Sequence, residues 1–191
     1  MDALSEQLKS CVISPFFILC VDTEGSSRTG IREIAALSLD DSEVYFYDTV
    51  TPLKSAAGLA PEDASHTWAV VGPRFFDWVA RVTPKDRTAL LVGHNVIKHD
   101  VPLVKKETLA MCPDAMPKRM RWCDTLAAVR AVLPELKKRD QRSVYAHIYG
   151  APPLAHGTHT AFADARTNAA IARAPRIRAF IEDGVNHKEN F

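Results

Sequence analysis

The stretch Phe16-Phe17-Ile18-Leu19-Cys20-Val21-Asp22-Thr23-Glu24 decides how this chain is read. Its first six residues are continuously apolar. That is far short of the about 20 residues that cross a membrane, and it is the length of a central strand buried on both faces. The run ends at Asp22 and Glu24. Side chains alternate along a strand, so residues two apart share a face. Two carboxylates side by side at the end of an apolar strand repel each other and need a cation between them to stay charged. All-oxygen donors suit hard divalent ions such as Mg²⁺ or Mn²⁺. An acidic-x-acidic pair arises about three times by chance in a chain of this composition, so the spacing alone is weak. The position behind the apolar run carries the signal.

Working outward, Gly25 to Gly30 reads as a turn or loop. Residues 31–39 and 43–50 read as two more strands joined by the tight Asp40-Asp41-Ser42 turn, which makes an antiparallel meander. The period then changes. Residues 61–69 read as a short helix and 74–82 as a second, with Phe75, Phe76, Trp78 and Val79 on its apolar side. Strands are expected at 88–92 and 120–123, and helices at 99–111, 125–132, 141–149 and 158–173, with another from Ile177. The pattern is an α/β fold: a mixed five-stranded sheet, three antiparallel strands then two parallel ones, flanked by helices on both faces. The expected division is an N-terminal extension over 1–14, one catalytic-size domain over 15–175, and a C-terminal helix with a polar tail over 176–191.

The chain's 191 residues are enough for one domain. With 47% hydrophobic and 25% charged residues, composition excludes a disordered chain, a collagen-like chain and a small disulfide scaffold. No repeat or low-complexity segment interrupts it. The first residues lack the positive start of a secretory signal. Cys11, Cys20, Cys112 and Cys123 form no C-x-x-C pair and read as free thiols, which points to a reducing, intracellular compartment, cytoplasmic or nuclear. The net charge of +1 does not announce a nucleic-acid partner, although a local patch can serve one.

Two further clusters bear chemistry. Gly93-His94-Asn95-Val96-Ile97-Lys98-His99-Asp100 follows the fourth strand, and Asp100 there reads equally as a helix cap or a metal ligand. His156-Gly157-Thr158-His159-Thr160-Ala161-Phe162-Ala163-Asp164 opens a late helix. Its small residues Ala161, Ala163, Ala165, Ala169 and Ala170 let a helix lie close against a sheet. A His five residues before an Asp occurs by chance about 0.5 times in such a chain, so this too gains force only in combination.

Together, Asp22-x-Glu24 on the first strand, Asn95 before Asp100, and His159 before Asp164 resemble the DEDDh branch of the DnaQ-like 3′–5′ exonucleases. The resemblance runs from about residue 16 to 172. It includes Ile31-Arg-Glu-Ile-Ala-Ala-Leu37 and Cys123-Asp124-Thr125-Leu126. One departure stands out: the family often carries Thr-Gly soon after Asp-x-Glu, where this chain has Gly25-Ser26-Ser27-Arg28-Thr29.

The resemblance implies an RNase H-like three-layer fold and hydrolysis of terminal phosphodiesters of DNA or RNA to nucleoside 5′-monophosphates. It implies two Mg²⁺ or Mn²⁺ ions per active site. Asp22, Glu24 and Asp164 would hold one ion, Asp22 would bridge to the second, and Asp100 would bind directly or through a water. His159 would be the general base. The implied partner is a nucleic acid with a free 3′ end, single-stranded or frayed. Candidate substrate contacts are Gly25, His94, Asn95 and Trp68, the last of which reads equally as a core residue. Lys137-Lys138-Arg139-Asp140-Gln141-Arg142 is a solvated face or a contact for the substrate backbone. Asp124 reads as a helix N-cap and Glu33 as structural or a rim charge. The alternative from a different class is a non-catalytic nucleic-acid or protein-binding module on the same fold.

Overall fold

The apolar run forms the inner part of a long strand at the middle of the sheet. A computed structural model of the chain describes residues 14–51, 66–153, 159–183 and 187–189; residues 1–13 of the expected N-terminal extension and His156 lie outside them. Strand β1 is Phe16–Ser26, β2 Gly30–Ser38, β3 Tyr45–Thr49, β4 Thr88–Gly93 and β5 Met120–Asp124. Spatial order is β3-β2-β1-β4-β5, continued by a two-residue edge strand β6, Lys188–Glu189. β1, β2 and β3 pair antiparallel, and β1, β4 and β5 pair parallel. The five expected strands and their directions are all present.

Among the described residues there are six α-helices: α1 Trp68–Val82, α2 Asp100–Met111, α3 Thr125–Val132, α4 Gln141–Tyr149, α5 Ala161–Arg173 and α6 Pro175–Glu182. None is long and apolar enough to cross a membrane. Strand alternation sorts the core into two layers. Leu19, Val21, Leu91 and Trp122 face Trp68, Phe75, Phe76 and Val104 of α1 and α2. Ile18, Cys20, Leu90 and Cys123 face Val129 of α3, Ala165, Ala169 and Ile171 of α5, and Ile177 of α6. A central strand buried on both faces is the condition a continuous apolar run satisfies.

One expectation is corrected. The helix expected from Arg74 begins earlier, at Trp68, and passes through Pro73, while residues 61–65 of the other expected helix lie outside the described residues. Proline there removes one backbone donor, while burial of Trp68, Phe75 and Phe76 holds the helix on the sheet. Gly72 makes room for this: a Cβ at that position would lie 2.9 Å from the Trp68 indole. The turn expected within Gly25 to Gly30 is a hairpin turn over residues 27–29. β1 and β2 stay paired to Ser26↔Gly30, with a register shift at Glu24/Gly25. The turn is closed by the Thr29 amide donating to Ser26 Oγ.

Candidate active site

Strand alternation puts Asp22 and Glu24 on the α5 face of β1, beyond the last apolar residue. Helix α5 lies close over β1 and β2 because Ala161, Ala165, Ala169 and Ala172, one helical face, are fully buried. Two bonds set its first turn. Thr160 caps it by accepting from the Ala163 amide, and Glu33 Oε2 on β2 accepts from the Ala161 amide. This turn carries Asp164 to the strand end. Carboxylate oxygens of Asp22, Glu24 and Asp164, all half-buried, lie within 4.8 Å of one another. Glu33 is thus a positioning group for the cluster, which a local reading of β2 could not reveal.

Asp100 reaches the site from the other side of the sheet. It opens α2, yet His99 is the N-cap and makes no side-chain cap bond. Instead Asp100 Oδ1 accepts from the Thr23 amide at 2.9 Å and from Thr23 Oγ1 at 2.7 Å. Thr23 points away from Asp22 and Glu24, so it ties α2 to the strand end between the two acids. Its role had no signal in the sequence beyond its place between them. Asp100 and the three-carboxylate cluster line one cleft of about 590 Å³.

The electrostatics follow from this crowding. Burial pushes the Asp22 carboxyl up to about 9, and Asp100, Asp164, Glu24 and Glu33 push the same way. Burial raises Asp100 to about 6 against the two Thr23 bonds, which lower it. Glu24 is raised by burial and then by Asp164 and Glu33, with Arg32 and His159 opposing. A set of convergent oxygens that cannot all ionise alone is a fitting set of donors for a hard divalent cation.

The remaining predicted residues fall in different places. His159 is 95% exposed, with Nδ1 3.7 Å from Asp164 Oδ2. Gly25 lines the cleft. A Cβ there would collide with the Gly30 carbonyl oxygen, so the hairpin itself requires glycine. Asn95 is not among the cleft-lining residues. It takes a left-handed conformation, φ 62°, which Asn tolerates, and its amide donates to Asp124 Oδ1. His94 lines the cleft with both ring nitrogens engaged: Nδ1 lies 3.0 Å from Thr125 Oγ1 and Nε2 donates to the Arg139 carbonyl at 2.7 Å. Burial lowers its pKa.

Trp68 is corrected. It is 0% exposed, and its indole N–H donates to Thr108 Oγ1, so it cannot stack on a substrate base. Asp124 is the N-cap of α3, accepting from the Leu126 amide as well as from Asn95. Asp124→Ala removes a cap and orphans the Asn95 amide, an expected loss of about 2–4 kcal/mol. Urea unfolding should read it as a lower midpoint at unchanged slope.

The RNase_T family model, described as Exonuclease, matches residues 20–172. No curated protein matches the chain. Among solved structures, the zinc-bound E. coli ExoI–ssDNA complex is similar, with a TM-score of 0.53 and 20% identity, over 86% of this chain and 42% of that one. At that identity the likeness is one of fold, and the chain spans less than half of that protein's length.

Proposed function

The chain belongs to the DnaQ-like, DEDDh-type exonuclease family, and from that premise we propose that it is a divalent-metal-dependent 3′–5′ exonuclease releasing nucleoside 5′-monophosphates from DNA or RNA. The observation that carries this reading is the convergence of Asp22, Glu24 and Asp164 within 4.8 Å, with Asp100 lining the same cleft. All four acids and the histidine of the family pattern are present in the chain.

In this reading Asp22, Glu24 and Asp164 would hold one Mg²⁺ or Mn²⁺, and Asp22 with Asp100, directly or through a water, would help hold a second. When bound, two such ions neutralise the charge that builds on the phosphoryl oxygens during in-line displacement. The residues do the rest. Thr23 keeps Asp100 aimed at the strand end, and Glu33 keeps the first turn of α5 in place. His159, beside Asp164 and open to solvent, takes the proton from the attacking water. The Gly25 hairpin borders the place where the terminal nucleotide would sit.

The test uses 3′- and 5′-labelled DNA and RNA, single- and double-stranded, with Mg²⁺, Mn²⁺ or EDTA. A ladder shortening from the 3′ end, abolished by EDTA, is expected. Hydrolysis that survives EDTA overturns the mechanism, and no cleavage of any substrate moves the assignment to a binding module.

A further inference from the structure

Resting on the exonuclease reading above, we infer that the segment Lys137-Lys138-Arg139-Asp140-Gln141-Arg142 grips the phosphate backbone of the substrate strand outside the cleft. The segment runs from the connection after α3 into the first turn of α4, and its position relative to the cleft is fixed by bonds. His94 lines the cleft, and its Nε2 donates to the Arg139 carbonyl at 2.7 Å. On its other side, His94 Nδ1 meets Thr125 Oγ1 at the start of α3. Thr125 Oγ1 lies 2.8 Å from Asn168 Oδ1 of α5, and Asn168 Nδ2 donates to the Val92 carbonyl of β4 at 2.7 Å. This chain of bonds links the segment to α3, α5 and β4, the elements around the acidic cluster, and holds it at the rim.

The chemistry of the segment is one-sided. Its sole carboxylate, Asp140, is spent on capping α4, accepting from the Ser143 amide and hydroxyl. The Arg139 guanidinium turns back to donate to the Pro134 carbonyl, which shapes the loop. Lys137, Lys138 and Arg142 are exposed, and among the described residues none of the three has an ion pair within 4.0 Å. Mobile cations on a fixed backbone read phosphates whatever the base, and they add affinity without sequence preference. A cation cluster remote from the cleft, Lys85, Arg87, Lys118 and Arg119, borders Ala89, at the end of β4 opposite to Gly93 and His94, so it serves as an internal control.

The test compares the parent chain with a Lys137→Ala/Lys138→Ala/Arg142→Ala variant and a Lys85→Ala/Lys118→Ala control. Affinity for a fluorescein-labelled thymidylate strand of about ten nucleotides is measured by anisotropy in Ca²⁺ at several salt concentrations. Turnover of the p-nitrophenyl ester of thymidine 5′-monophosphate, too short to reach the segment, is measured in Mn²⁺. The triple variant is expected to bind the strand roughly tenfold more weakly, with a salt slope shallower by about 2. Its ester turnover should equal the parent's. Unchanged affinity and salt slope in the triple variant, or an equal loss in the control, overturns the inference. A parent that binds the strand but hydrolyses neither the ester nor any DNA or RNA oligonucleotide refutes the exonuclease reading instead, and the binding comparison still decides the role of the segment.

Discussion

The Asp22→Asn protein is expected to lose hydrolysis by at least about 10³-fold and to become more stable at high pH in the absence of metal. Both effects have one origin. Asp22 sits where four other carboxylates crowd a buried strand end. Its pKa is near 3.8 unperturbed and is pushed up to about 9 in the fold, by burial first and by Asp100, Asp164, Glu24 and Glu33 after it. The folded state therefore prefers the protonated acid. The stability this preference contributes is whole below pH ~4 and drains away as pH rises through about 9. Asparagine cannot ionise and escapes that loss. The melting temperature of the variant should match the parent's near pH 4 and exceed it by several degrees near pH 9. Mg²⁺ or Mn²⁺ should raise the melting temperature of the parent far more than that of the variant, because a bound cation stabilises only the charged site. Parental turnover in the variant, or a gap in melting temperature that narrows as pH rises, would remove Asp22 from the site.

His159→Ala should lower kcat by roughly 10²–10⁴ with KM for a short oligonucleotide little changed. That is the signature of a group acting in the transition state and not in ground-state binding. The side chain is 95% exposed and 3.7 Å from Asp164, so its removal leaves no cavity. Stability should stay within about 0.5 kcal/mol of the parent, which separates this variant from Asp124→Ala. A kcat equal to the parent's would take His159 out of the chemistry.

Much of the fold was legible because it is locally encoded. The apolar run before Asp22, the Asp40-Asp41-Ser42 turn and the Asp124 cap each signal their structure within a few residues. The α1 helix starts before Arg74 although Gly72-Pro73 is a local stop signal, because the burial of Trp68, whose indole meets Thr108 40 residues away, overrides it. For the same reason Trp68 could not be told from an exposed aromatic. The turn within Gly25 to Gly30 was legible from its composition, while the pairing of Ser26 with Gly30 depends on register, which composition does not show.

For the site, strand alternation by itself determined that Asp22 and Glu24 share a face, and the small-residue helix face around Ala165 determined that Asp164 rides on a helix able to come close. These are consequences of backbone geometry, the same in any context. Only the tertiary structure decided the rest. It brings Asp100 around the opposite face of the sheet onto Thr23, 77 residues away, places Glu33 under the first turn of α5, 128 residues away, and sets Arg139 against His94, 45 residues away. Each of these rests on one or two directed hydrogen bonds between distant segments, and no local periodicity encodes which polar groups will meet once the two core layers have closed.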